Sequence, residues 1–335
     1  MKITTSFSRR ALVLRALATS LLIGLIFGTV SAQQPQVPEA ERQAAQKIMA
    51  ATDLAAQLQA AGDFIKQFPK STLRQQVAQG VAKKISEQTD QAQKLKLAEN
   101  FSTIFTEANE KDMMTAILLD GYLKANQLDD AFRVAPAWLE KNPEDVGTLT
   151  QMALLGVDQV KRNNNKFAVQ SGQYAGQAIA LIEADKKPAN LNAEQWAEYK
   201  TRWLPALYQS TGLISLMTGN NADAKTKLEK AISLNPTDPF NYLLLSSLVN
   251  DEYQALAKQH KEMTDGAPKE AKLKEALAKM QQLIDIYAQV VARSESDPQY
   301  KALHDQVKPE LESYYKFLNN GSTKGLQELI NKHKK

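Results

Sequence analysis

The chain has 335 residues, of which 43% are hydrophobic and 23% charged, with only 14 glycines and 12 prolines. This composition permits a packed core and excludes low-complexity disorder. Cysteine is absent from the sequence, which excludes disulfides, thiolate metal sites, thiol catalysis and a lipidated amino-terminal cysteine.

The amino terminus has the pattern of a secretory signal peptide over residues 1–32. Four basic residues precede an apolar run, which ends in the small-residue motif Val30-Ser31-Ala32; these basic residues are Lys2, Arg9, Arg10 and Arg15. Such a motif is typical of a cleavage site. We therefore predict cleavage after Ala32 and a periplasmic or secreted mature protein.

Two alternatives concern the same segment. A retained membrane anchor is disfavoured, because the apolar run over 16–30 is shorter than the roughly 20 residues that a span needs. No stable membrane span is expected after cleavage. The Arg9-Arg10 pair leaves a twin-arginine signal open beside an ordinary one.

The signal also accounts for the charge of the chain. Removal of residues 1–32 leaves 37 basic against 37 acidic residues, so the formal net charge of +4 resides in the signal. Nucleic-acid binding would require a clustered basic face. We therefore expect no nucleic-acid partner.

The rest of the sequence predicts an all-α protein. Residues 33–38 contain two prolines and predict a short extended tether. From residue 39 onward the apolar residues recur at helical spacing, and no comparable run alternates as a strand does. One example is the stripe Leu54, Leu58, Ala61, Phe64, Ile65 and Phe68, which Pro69 terminates.

The predicted helices come in pairs. Residues 112–145 contain one pair, with a turn near Asn126 and an end before Pro143. The pair over 205–238 has a large residue first, small residues where the two helices would cross, and proline at the end: Tyr208, Gly212, Ala224, Leu228, Ala231 and Pro236. This spacing resembles the tetratricopeptide repeat, or TPR. The resemblance implies a helical-hairpin solenoid over residues 39–238.

The resemblance weakens elsewhere in the chain. Residues 152–182 give a degenerate repeat, in which 161–166 lengthens the turn. Pro143 and Pro236 are further apart than two repeats of about 34 residues would place them, so we expect insertions near 163–166 and 186–192. Residues 53–110 give helical pairs by pattern only.

Residues 239–335 predict longer helices that continue or cap the solenoid. One helix is expected from about Pro268 to Arg293, and its partner from about Pro239 to Met263. The long helix carries one apolar seam, which we expect to be buried against 239–263 and 298–318 or across a dimer. The seam consists of Leu273, Leu277, Met280, Ile284, Tyr287 and Val291.

A search for catalytic chemistry finds no motif. The three histidines, His260, His304 and His333, lie on different predicted helices among polar neighbours, so we expect them in solvent. None has the helical spacing of a metal-ligand pair. No glycine-rich phosphate loop is present. The carboxylates fit a solvated helical surface. The tryptophans and the cluster Tyr314, Tyr315 and Phe317 fit a core better than a docking surface. We therefore expect no catalytic residue, cofactor or metal.

The TPR resemblance also implies a binding groove, lined by the first helix of each pair. The residues that it places there are Ala206, Gln209, Leu213 and Leu216 in the better repeat and Met113, Ala116, Asp120 and Lys124 in the earlier one. The groove lacks the Lys and Asn cluster that clamps a peptide carboxylate. A protein or peptide partner of unknown identity is expected.

Two functions follow from these features. The leading hypothesis is an exported scaffold or adaptor that binds protein in the cell envelope. The alternative is a periplasmic carrier that holds a small ligand for an uptake system. A carrier needs an enclosed apolar pocket of roughly 300 Å³ or more, whereas an adaptor needs an open groove.

Overall fold

The computed structural model describes residues 37–334. The signal peptide and most of the tether predicted over 33–38 lie outside this part of the chain. Within it, helices are the only regular secondary structure. The fourteen α-helices are α1 (Glu39–Ala50), α2 (Leu54–Gln67), α3 (Arg74–Ser86), α4 (Gln91–Ile104), α5 (Ala108–Lys124), α6 (Leu128–Lys141), α7 (Val146–Lys161), α8 (Ala168–Glu183), α9 (Ala193–Met217), α10 (Asn221–Leu234), α11 (Pro239–Glu262), α12 (Ala267–Ser294), α13 (Lys301–Leu318) and α14 (Leu326–Lys332).

Short polar turns separate these helices. Aspartate or asparagine side chains cap several amino termini by accepting a hydrogen bond from the backbone, as Asp53 does for α2 and Asn192 for α9. Several carboxyl termini are followed by a residue with positive φ, such as Asn126 at 56° and Gly219 at 73°. Asparagine and glycine tolerate this conformation, which ends a helix and lets the chain reverse.

The helices pack as consecutive hairpins. The first helices of the pairs stack on one another in two runs, α1–α3–α5 and α7–α9–α11, and the second helix of each pair packs against the first helix of the next. This architecture confirms the predicted all-α, TPR-like hairpin array with longer carboxy-terminal helices. The predicted insertion point at 186–192 is a loop, and the one at 163–166 runs into a short 3₁₀ helix, Asn165–Phe167. Much of the extra length belongs to α9, which has 25 residues.

Two main cores run along the array. The larger contains buried residues from Ile48 to Ala231, and the second from Tyr242 to Ile330. A small cluster of Ala224, Leu228 and Leu248 joins α10 to α11 between them. Each core forms between neighbouring hairpins, as expected for a repeat array.

Polar side chains also fasten neighbouring elements. Arg74 at the start of α3 donates two hydrogen bonds to the Glu110 carboxylate of α5, at 2.6 and 2.8 Å. Near the carboxyl terminus, the Arg293 guanidinium donates to the backbone carbonyls of Pro236, at 2.6 Å, and His333, at 3.4 Å. These contacts join segments that are distant in sequence.

The prediction that the whole α12 seam is buried was wrong at its amino-terminal end. Met280, Ile284, Tyr287 and Val291 are buried, but Leu273 is 41% exposed and Leu277 is half-buried. The cause is a difference in length: α12 has 28 residues and α13 only 18. At about 1.5 Å per residue, α13 is too short to cover the seam to its end.

The aromatic and histidine side chains differ in part from the sequence prediction. Trp196 is buried, whereas Phe317 is 68% exposed. Trp138 is half-buried, and its Nε1 donates a 2.7 Å hydrogen bond to Asp145, the cap of α7. His333 was expected in solvent, but its side chain is only 14% exposed and lies 3.1 Å from Asp285.

Candidate functional site

The eight predicted groove residues lie on α5 and α9, two first helices of the array. Most are half-buried; Lys124 is exposed and Gln209 is buried. Because α5 packs on α3, whereas α9 packs on α7 and α11, the structure does not bring the two sets together as one cluster. They lie on separate stretches of the array.

The α5 set has an apolar part and a charged part. Met113 packs against the larger core and is half-buried. Asp120 and Lys124 form an ion pair at 2.6 Å one turn apart on α5. An exposed pair of this kind contributes little to stability, so these two side chains can rearrange when a partner binds.

The α9 set adjoins a matching set on α7. Gln151, Leu154, Asp158 and Lys161 recur at helical spacing on α7, as Ala206, Gln209 and Leu213 do on α9. A contact from Lys161 Nζ to Gln209 Oε1, at 3.3 Å, places the two rows side by side. We call this surface the α7–α9 face. Apart from the exposed Lys161 and the buried Gln209, its members are half-buried.

Gln209 occupies the polar centre of this face. Its Nε2 donates to Asp238 Oδ2 at 2.8 Å and to Asn241 Oδ1 at 2.9 Å, both from the start of α11. Gln209 is only 8% exposed. Gln209 therefore connects α9 to α11 and, through Lys161, to α7.

Lys161 lies on the α7–α9 face beside the start of α11. The residue is exposed, and desolvation lowers the pKa of its ammonium group despite the nearby charges of Asp238 and Asp158. An ammonium group has three donors, and Gln209 accepts from one, so the others can donate to a bound carbonyl or carboxylate.

Two aromatic rings lie close to Lys161 and to the start of α11. Phe240 lies 5.8 Å from Lys161 Nζ, measured to the ring centroid, and packs edge-on against Tyr300 at 5.7 Å. Burial, with the negative charges of Asp238 and Asp297, raises the pKa of Tyr300 to about 12. The Tyr300 hydroxyl is therefore neutral at physiological pH and available as a hydrogen-bond donor.

Sequence reasoning missed Lys161 and its neighbours on α11. It assigned Lys161 to a lengthened turn, whereas α7 continues through this residue. The available signal was the spacing of Leu154, Asp158 and Lys161, which continues the helical stripe by four and three residues. Asp238 and Asn241 were not predictable as neighbours of Gln209, because that contact depends on how α9 and α11 stack.

A recess lies on the α11–α12 hairpin. It has a volume of about 600 Å³, is open to solvent, and is lined by Glu252, Ala255, Leu256, Glu275, Ala278, Lys279 and Gln282. Lys279 and Glu252 form an ion pair across it. An open recess of this kind does not meet the requirement for an enclosed pocket that the carrier hypothesis sets.

No group of three or more His, Asp or Glu side chains that could hold a metal ion occurs within residues 37–334. None of the helices in this part of the chain is both long and apolar enough to cross a membrane.

Similarity to known proteins is found among solved structures. No protein-family model matches the chain, and neither does any curated protein. Among solved structures, the chain is similar to a tetratricopeptide repeat protein from Parabacteroides merdae ATCC 43184, at 13% identity and a TM-score of 0.28. The match covers 88% of this chain and 97% of the other. A likeness at this level says nothing about the partner.

Proposed function

We propose that the protein is an exported scaffold that holds a protein or peptide partner on its α7–α9 face and acts by binding, without catalysis. The observation that carries the proposal is the row of half-exposed apolar side chains beside the exposed Lys161 ammonium. Leu154, Ala206 and Leu213 offer apolar contact, and the Lys161 ammonium offers spare donors. Apolar contact with a few convergent polar groups is typical of a recognition surface.

An extended segment or a helix could be held here in a defined orientation. The apolar side chains would supply contact area, and Lys161 would fix the register by donating to a carbonyl or carboxylate of the partner. Asp238 and Asn241 hold Gln209, and Gln209 accepts a hydrogen bond from Lys161, so the polar part of the face is ordered before the partner arrives. Such preorganisation reduces the entropic cost of binding.

Site-specific photo-cross-linking in cells tests this surface. A photoreactive amino acid replaces Ala206 on the α7–α9 face or, as the matched control, Glu229 on the exposed side of α10. We expect a discrete cross-linked product from Ala206 and none from Glu229. Equal products from both positions, or none from Ala206, would contradict the proposal.

A pair of variants connects the cross-link to the apolar row. Leu213→Glu places a charge beside Ala206 and should abolish the product, since the half-exposed leucine is replaced without loss of a core residue. Thr226→Glu on exposed α10 adds the same charge elsewhere and should leave the product unchanged. Circular dichroism of both variants establishes that the fold is retained.

A small-ligand carrier is the second candidate function. The recess on the α11–α12 hairpin has sufficient volume for a ligand but is open. The half-exposed row on α7 and α9 fits a chain-like partner better than an enclosed molecule. For this reason the scaffold is preferred.

A further inference from the structure

The tip of the α11–α12 hairpin exposes the continuation of a core seam. Tyr314 of α13 packs against Tyr253 and Tyr287, with ring centroids 6.0 and 6.1 Å away, and α13 ends one turn later at Leu318. Beyond that point Leu273 is 41% exposed and Leu277 half-exposed. Helical spacing puts both on the side of α12 that buries Met280 and Ile284.

The charges beside this exposed seam are self-complementary. Glu270 and Lys274 are exposed and lie one turn apart on the same flank of Leu273 and Leu277. No ion pair involves either of them within the described part of the chain. When two identical helices pair antiparallel about a two-fold axis at the level of residue 272, next to Leu273, Glu270 of each copy lies opposite Lys274 of the other.

We propose that a second copy of this chain covers the exposed seam, in an antiparallel two-fold contact between the 270–277 segments of two α12 helices. A two-fold interface must be complementary to itself, and this segment meets that condition twice. Leu273 meets Leu273 of the other copy close to the axis, and Glu270 and Lys274 exchange partners. The contact extends each core seam across the axis and is independent of the α7–α9 face.

Cysteine cross-linking tests the position of the axis. The chain has no cysteine, so a single introduced thiol reports on one site. Leu273→Cys lies beside the proposed axis and should form a disulfide-linked dimer on mild oxidation. Phe317→Cys is the control, because Phe317 is 68% exposed on α13 and lies outside the 270–277 segment. This variant should form no disulfide-linked dimer. Equal dimer formation by the two variants, or none by Leu273→Cys, would overturn the proposal.

A charge exchange tests the pairing itself. Glu270→Lys alone and Lys274→Glu alone bring like charges together and should each weaken association by about tenfold or more. The double variant restores opposite charges across the axis and should recover the wild-type affinity. Both residues are exposed, so the fold is not at risk. Sedimentation of a monomer at every concentration, or a double variant no better than the single ones, would exclude this dimer.

Discussion

Gly212 and Gly219 belong to the same hairpin but have different surroundings. A Cβ atom at Gly212 would lie 2.8 Å from Leu228 Cγ, whereas at Gly219 nothing lies within 4 Å. Gly219 has a φ of 73°, so a side chain there costs only about 1–2 kcal/mol of backbone strain. Overpacking at Gly212 should cost about 1–3 kcal/mol for a modest enlargement and more for leucine.

We therefore expect Gly212→Leu to lower the melting temperature more than Gly219→Leu. Thermal unfolding of the two purified variants beside wild type measures the order. Gly219→Asn is the control, because asparagine tolerates positive φ, and it should melt close to wild type. The reverse order for the leucine variants would show that the two helices do not cross at Gly212.

The Arg74–Glu110 pair predicts how the stability of the protein depends on pH. Burial favours the neutral form of Glu110, but the Arg74 hydrogen bonds and the Glu107 amide outweigh it, so the pKa of this carboxyl is lowered. A lowered folded-state pKa stabilises the fold above the unfolded value of about 4.3. This contribution is lost as pH falls through the folded-state pKa.

We expect Arg74→Met to destabilise the protein at neutral pH by about 3–5 kcal/mol, because it leaves a buried carboxylate without its partner. The deficit should shrink in acid, where Glu110 is protonated in the variant. Arg74→Met/Glu110→Met should recover much of the loss. Urea unfolding at several pH values measures all three, and a deficit independent of pH would argue against a charged Glu110. Exposed Arg133, paired with Asp130, supplies the control Arg133→Met, which should unfold like wild type.

At the scale of the element, the α12 helix separates into a covered and an uncovered part. Ile284 is fully buried, whereas Leu273 is 41% exposed. In dilute protein, Ile284→Ala should lower the free energy of unfolding by about 2–5 kcal/mol. Leu273→Ala should change it by no more than about 0.5 kcal/mol. Leu277, half-buried, should fall between them, below the cost that a fully buried seam would imply. Denaturant unfolding measures the series, and equal losses at all three positions would mean that α13 does not set the boundary.

Some features of the helices could be predicted from the sequence, and others could not. Helix ends at Pro69, Pro143 and Pro236 were predictable, because proline and its preceding residue are unfavourable within a helix. The pairing of helices followed from the small residues at their crossing. The exposure of Leu273 could not be predicted, since its periodicity equals that of Ile284 and only the length of α13 distinguishes them.

The candidate site was less predictable than the fold. The repeat register placed Ala206 and Leu213 on one side of α9, and the structure keeps them there half-exposed. Gln209 shares their spacing but is buried by hydrogen bonds to α11. Side-chain spacing determines the face of one helix; which neighbour covers that face depends on contacts between hairpins.

At the scale of the whole molecule, the predicted signal peptide determines the first residue of the mature chain. The small residues Val30 and Ala32 precede Gln33, so the mature chain should begin at Gln33, ahead of α1. Amino-terminal sequencing of material from the periplasm or medium measures this. Recovery of the uncleaved chain in a carbonate-resistant membrane fraction would contradict it.

The contact made by Arg293 decides where the protein can be labelled. Its guanidinium donates a hydrogen bond to the His333 carbonyl while the His333 ring lies against Asp285, so His333 is held against α12. A tag or fluorescent protein appended at the carboxyl terminus would pull on these contacts. A fusion inserted between the predicted cleavage site and α1 would avoid them, and it is the better handle for isolating the protein with its partner.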